Sequence, residues 1–335
     1  MDSDNKYRLV TRSDFDGLVC AVLLKELDLI DEILFVHPKD MQDGKIAITD
    51  RDITTNLPYV ASAHLAFDHH LSETLRNAAS LPNHIIDPDA PSAARVVYDY
   101  FGGSRRFTRI ADEMMAAVDQ ADSAQYTLAD IRHPQRWTLL NYLMDARTGL
   151  GRFRDFRISN YQLMMKLIDA CRELSIDEIL ALPDVAERVS LYRAQESLAV
   201  EQIQRCAQVH GKTVILDLRD EPMIHAANRF LVYALFPQCS LSIHVMWGLR
   251  QQNTVFAIGK SILDRSSQIN IGELCLRYGG GGHRAAGTCQ IENIRAARTL
   301  LEVVGRIEEL EAELAAVAPV ASGSPAPVAV PLRNP

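Results

Sequence analysis

Residues 7–17 read YRLVTRSDFDG, and residues 64–70 read HLAFDHH. In each, a short β-forming run gives way abruptly to acidic or imidazole side chains. After the first, residues 18–29 form an apolar helical stretch, so the chain opens as strand, acidic turn, helix. Further β-type runs at 33–36, 45–49 and 84–86 alternate with helical stretches such as 92–101. Alternation of this kind predicts an α/β domain with a largely parallel sheet.

Working outward, residues 110–204 read as predominantly helical, and 184–205 place Leu191, Leu198 and Ile203 among charged residues, as an amphipathic connector does. β-type runs return at 213–218, 241–247 and 255–258, followed by a glycine-rich segment and an amphipathic helix over 294–316. The expected organisation is a parallel-sheet domain over 1–184, a helical linker over 185–210, and a smaller α+β domain over 211–317. The tail 318–335, rich in Pro, Ala and Val, has a composition that does not bury enough apolar area to order itself.

The 335 residues, 47% of them hydrophobic, suffice for two separate cores. A net charge of -8 argues against a protein that coats long nucleic acid, whose affinity comes from many Lys and Arg contacts to phosphate. The six cysteines contain no C-x-x-C pair and read as buried thiols of a reducing compartment. The N-terminus lacks a hydrophobic signal core, and no apolar run reaches the length of a membrane span. A cytoplasmic location is expected.

Asp14 and Asp16 follow the run 7–11, Asp50 follows 45–49, and Asp68, His69 and His70 follow 64–67. In an open parallel sheet the carboxyl ends of the strands line one crevice. Carboxylates crowded there repel one another unless cations neutralise them. Oxygen and imidazole donors without thiolate suit Mn²⁺ or Mg²⁺. Two such ions about 3.5 to 4 Å apart activate water and stabilise the attacking and leaving oxygens at phosphorus. Downstream, Gly279 to Gly282 allow backbone N–H groups to approach an anion closely, and His283 and Arg284 follow, as in a loop that closes onto a helix. Asn228 and Arg229 either reach the cleft or form a salt bridge on a helix.

Taken together, Ser13-Asp14-Phe15-Asp16-Gly17, Asp50, Asp68-His69-His70 and the run from Gly279 through His283 and Arg284 to Gly287 resemble the ordered motifs of DHH phosphoesterases that carry a DHHA1 domain. That group includes RecJ-type exonucleases, nanoRNases and pAp phosphatases, cyclic-dinucleotide phosphodiesterases and exopolyphosphatase-like relatives. The resemblance covers nearly everything from Tyr7 to about Glu313. It implies two divalent ions, Mn²⁺ before Mg²⁺: Asp14 serves one, Asp16 and His69 the other, and Asp50 bridges both. Asp68 would orient the histidines, and His70 would donate to the scissile phosphate. A further aspartate on the second metal is Asp122 rather than Asp119. Gly280, Gly281, Gly282, His283 and Arg284, with Ser261 and Arg265 beside Lys260, would contact the substrate. Many relatives have a histidine where this chain has Val10, which puts the first metal site in question.

The implied activity is hydrolysis of short oligonucleotides or pAp-type nucleotides, with inorganic polyphosphate or a cyclic dinucleotide as the nearest rivals. A nucleotide- or phosphate-binding sensor without turnover is the alternative of a different class. The expected partner is a small phosphorylated molecule, with a homodimer left open.

Overall fold

The computed structural model describes residues 6–70, 73 and 81–317; the tail 318–335 lies outside the described residues. β1 (Tyr7–Arg12), β2 (Ile30–Val36), β3 (Asp52–Thr55), β4 (Leu65–Asp68) and β5 (His84–Ile86) form a parallel sheet in the order β2-β1-β3-β4-β5. Strand order reverses between β1 and β3, and a doubly wound sheet opens its ligand crevice at the carboxyl ends on either side of that reversal.

Helix Phe15–Glu26 begins directly at that point. Asp14 holds an extended backbone and caps the helix by accepting from the Gly17 N–H at 2.9 Å. A Cβ at Gly17 would stand 2.0 Å from the Arg12 carbonyl oxygen. Only glycine therefore lets the strand pass into the helix without a longer turn. From Phe15 to Leu24 every residue is buried, beneath the sheet and helices Ala93–Tyr100, Asp112–Asp122 and Asn160–Glu173.

One expected strand does not form. Residues 45–49 pair with no neighbour, and the strand on this stretch is β3, which starts at Asp52. Local side-chain bonds replace a ladder there. Asp52 Oδ2 accepts from the Thr49 N–H at 2.7 Å and its hydroxyl at 3.1 Å, and Arg8 Nε donates to Asp52 Oδ1 at 2.7 Å. The register pairs Arg8 with Asp52 and Thr11 with Thr55. Asp50 consequently lies at the amino end of the sheet, roughly 20 Å along the strand direction from Asp14.

The helices expected over 110–204 are present, ending in the 24-residue Pro183–Cys206 that leads into the second sheet. β6 (Ala207–His210), β7 (Thr213–Asp217), β8 (Leu241–Trp247), β9 (Thr254–Lys260), β10 (Gly281–His283) and β11 (Ala286–Ile291) lie in the order β10-β11-β9-β8-β7-β6, with only β7 and β8 parallel. The two cores expected to be separate meet at β7. Val214 and Leu216 join the large core of the first sheet, while Ile215 joins Ile243, Phe256 and Val303 of helix Ala296–Val317 in the second. No described helix is long and apolar enough to cross a membrane.

Candidate active site

Three side chains from distant parts of the chain converge at the crevice. Asp16 lies in the first turn of its helix, His69 just beyond β4, and Asp122 at the end of helix Asp112–Asp122, and each offers a ligand atom within 4.8 Å of the others. Asp16 is fixed by the start of helix Ala93–Tyr100, where Oδ2 accepts from the Ala93 N–H at 3.1 Å and Oδ1 from Ala94 at 2.8 Å. Burial, then the neighbouring Asp122 and Asp14 charges, push its carboxyl well above the usual range.

His69 shows what this group is built to hold. Its Nδ1 contacts the Ala90 carbonyl at 3.2 Å, so Nδ1 carries the proton and Nε2 of the neutral ring is a bare acceptor. That Nε2 faces Asp122 Oδ2 at 2.8 Å. Two acceptors at this distance require a cation between them, either a proton or a metal. Burial opposes a charged imidazole here, but Asp122 and Asp16 outweigh it and push His69 up to about 9. Burial likewise opposes the Asp122 charge, and His69 overcomes it, holding that carboxyl below its ordinary value. A histidine whose far nitrogen is tied to a backbone carbonyl, beside the buried Asp16 and the partly buried Asp122, fits a divalent ion.

Beside this group, Asp14 Oδ2 pairs with Arg12 Nε at 2.9 Å, and Oδ1 accepts from Asn56 Nδ2 at 3.3 Å. Burial raises the Asp14 carboxyl, and Arg12 partly offsets that. Asn56, which follows β3 in the left-handed region at φ 55°, is 2% exposed, and its Oδ1 has no hydrogen-bond partner. The expectation that Asp50 belongs to this centre is corrected: the residue at the carboxyl end of β3 is Asn56. Sequence reading missed it because the strand was placed seven residues early. Val10, on the neighbouring strand, packs with Val36, Met41 and Leu57 and supplies no ligand.

Asp68 is 2% exposed. Its Oδ1 accepts from the His69 N–H at 2.9 Å and lies 2.7 Å from His70 Nδ1, whereas Oδ2 is buried without a partner. With Nδ1 directed at Asp68, His70 has only Nε2 to offer to another molecule. Its ring lies 6.5 Å from that of His283, centroid to centroid, so the second sheet reaches the first at this point.

The glycine segment is a strand rather than a loop entering a helix. Gly281–His283 is β10, paired with β11 so that Gly282 faces Gly287 and His283 faces Ala286. A Cβ at Gly280 would lie 2.0 Å from the Thr288 carbonyl, and one at Gly282 2.3 Å from that of Ala286. Close strand approach explains these glycines. His283 and Arg284 are exposed near the hairpin tip, which is pinned by Lys260 N–H to Ala285 and Ile271 N–H to the Arg284 carbonyl.

Other expected residues are occupied elsewhere. Asp119 accepts from Ser92 and pairs with Arg95, away from the three-ligand group. Ser261 is buried and its hydroxyl accepts from Leu263 and Asp264, closing a turn. Arg265 Nη2 donates to the Ala124 carbonyl at 3.0 Å, tying that turn to the loop after Asp122. Arg147, which sequence reading did not single out, and Arg229 share the carboxylate of Asp145, at 2.7 and 3.9 Å.

No protein-family model matches the chain, and no curated protein does. Solved structures do. An exopolyphosphatase-related protein from Bacteroides fragilis is 12% identical with a TM-score of 0.52, covering 92% of this chain and 94% of that one, a likeness of fold alone. A pGpG-specific phosphodiesterase, PggH, from Vibrio cholerae is 62% identical with a TM-score of 0.81, covering 91% of this chain and 99% of that one. At this identity, over nearly the whole of both chains, the protein belongs to the DHH phosphoesterases that carry a DHHA1 domain, a family of metal-dependent phosphohydrolases.

Proposed function

We propose that the protein is a divalent-metal phosphodiesterase that cleaves a short, terminally phosphorylated dinucleotide of the pGpG kind into mononucleotides. The observation that carries this reading is the meeting of Asp16, His69 and Asp122 with the His70–His283 contact, which sets a cation-holding group beside two imidazoles from opposite sheets. The substrate class is taken from the 62% identical Vibrio protein, whose substrate is pGpG.

Asp16, His69 and Asp122 would hold one ion, with Asp14 and the Asn56 amide oxygen placed to complete a neighbouring position. Bound there, divalent ions supply an activated water and neutralise charge on the phosphoryl oxygens. The chain does the rest. Asp68 fixes the His70 ring, which leaves Nε2 to meet a non-bridging oxygen of the scissile phosphate. His283 and Arg284 approach from the hairpin and hold the same phosphate from the second sheet. Asp16 and Asp68 are buried, and charge–charge contacts are stronger where the surroundings are less polarisable than water.

Purified protein with Mn²⁺ should release GMP from pGpG and act more slowly, or not at all, on cyclic di-GMP, pAp and short polyphosphate. Phosphate release from polyphosphate at a rate matching or exceeding pGpG cleavage would overturn the substrate class. A protein that binds pGpG in Mn²⁺ but turns over none of the four would be a sensor.

A further inference from the structure

Helix Ala296–Val317, which packs on the second sheet, carries an apolar line on its outer side as well as its inner one. Inward, Val303, Val304 and Ile307 are buried in the second core. With about 3.6 residues per turn, the opposite side carries Ile294, in the turn that enters the helix, then Ala297, Leu301, Gly305 and Ala312. Ile294 is 93% exposed and Leu301 72%. One exposed aliphatic needs no explanation, but two on a single line, about two turns apart, repeat the interval at which helices pack on one another.

Gly305 lies on the same line, inside a 22-residue helix, where glycine is the poorest choice after proline. Nothing in the chain asks for it: a Cβ there would meet no atom within 4 Å, unlike those at Gly280 and Gly282. A helix surface without a Cβ lets a second backbone come close. The outward charges are uneven too. Arg295 and Arg298 stand at the start of the helix, and Glu308, Glu309 and Glu313 towards its end, with no acid in the first turn and no base in the last. That is the reverse of what the helix dipole favours. Within the chain Arg298 makes only an exposed pair with Glu302, one turn on, and such pairs contribute little.

We propose that this face pairs with the same face of a second copy of the chain, antiparallel about a two-fold axis between Leu301 and Gly305. In that register Leu301 of each copy rests on Gly305 of the other, and Ile294 rests on Ala312. Arg298 comes opposite Glu309 of the second copy. On the other flank Glu308 comes opposite the small Ala297, so no like charges meet. Each exposed aliphatic finds a small residue, and the basic start of each helix meets the acidic end of the other. A parallel pair would set Arg298 against Arg298 and Glu309 against Glu309, so charge selects the antiparallel arrangement. The seam from Ile294 to Ala312 is about 27 Å long. A contact of this length is at the small end of specific interfaces, which places its dissociation constant in the micromolar range. The pairing does not rest on the substrate class.

The test is sedimentation velocity on the full chain, with circular dichroism melting as the control for folding. Wild type should pass from monomer to dimer between about 1 and 200 µM, whereas Leu301→Glu should stay monomeric with an unchanged fold. Gly305→Leu installs a better helix former, so dilute protein should melt no lower, yet dimerisation should weaken by about tenfold or more. Arg298→Glu and Glu309→Arg should each weaken it by about threefold or more. The double variant should regain wild-type association, because both cross-copy pairs return with their signs exchanged. A wild type that stays monomeric throughout would overturn the proposal and leave the face to residues 318–335 or to another protein. A dimer that survives both Leu301→Glu and Gly305→Leu would assign association to a different surface. A double variant no tighter than the single ones would sink the antiparallel register.

Discussion

The rings of His70 and His283 lie 6.5 Å apart although one follows β4 of the first sheet and the other ends β10 of the second. This approach makes the crevice a two-sided site: the first sheet presents ligands and an oriented imidazole, and the second presents a hairpin. Predictions for either side can be separated.

On the ligand side, Asp122→Asn removes the carboxylate that faces His69. Mn²⁺ affinity should fall by about a hundredfold or more, since even indirect partners of metal ligands are worth 10- to 100-fold. Calorimetry reads the affinity directly. Melting provides a second check, because Mn²⁺ at about a hundred times its Kd stabilises a folded protein by roughly 2.7 kcal/mol. Wild type should melt higher with Mn²⁺ and return to its starting point with chelator, and the variant should show little of either change.

Asn56 and Asp50 offer a direct contrast. Asn56→Ala deletes a buried amide oxygen beside Asp14, and pGpG turnover should drop by about tenfold or more. Asp50→Asn alters a turn at the far end of the sheet and should keep wild-type kcat/KM. The reverse outcome would return Asp50 to the centre and overturn the placement of β3.

Within the hairpin, Gly280→Ala places a methyl group 2.0 Å from the Thr288 carbonyl. Overpacking against backbone costs about 1–3 kcal/mol, visible as a lower urea midpoint. Gly281→Ala meets nothing within 4 Å and should leave the midpoint nearly unchanged. Equal effects would mean that β10 does not lie against β11 as described.

Acid stability should respond to His244, in β8, which burial pushes down to about 4. Its folded value lies below its unfolded one, so between the two the unfolded chain binds the extra proton. The contribution is intact above about pH 6.5 and is lost as pH falls towards 4. His244→Leu should flatten that limb by at most about 1.4 kcal/mol per pH unit, the value for one proton. Urea midpoints between pH 7 and 4 would detect it, and parallel curves for the two proteins would count against it.

Much of the site was legible because its chemistry is local in sequence. Asp14 to Gly17 and Asp68 to His70 each combine a strand end, a ligand and a turn within a few residues. Asp122 was harder, since Asp119 lies one helical turn away with the same side chain; the resemblance favoured Asp122, and the pairing of Asp119 with Ser92 and Arg95, made across two helices, sets the two apart in the structure. Asn56 was hidden because residues 45–49, KIAIT, alternate like a strand while 52–55, DITT, look polar. Parallel pairing to β1 and the Arg8–Asp52 ion pair decide between them, and both are long-range. The glycines misled for a related reason. Freedom from a Cβ serves a phosphate loop and a tight hairpin equally, and the partner that distinguishes them, β11, is not encoded in the run itself.

The seam at β7 has a mechanical consequence. Val214 and Leu216 root the second sheet in the first core near one margin, and β10 lies at the opposite margin, four strand spacings away. At about 4.8 Å per spacing this is a lever arm of roughly 19 Å. A tilt of about 10° around the rooted margin would carry His283 through an arc of about 3 Å. Admission of a dinucleotide would then need only a small swing of this arm, and the crevice would widen most at the hairpin.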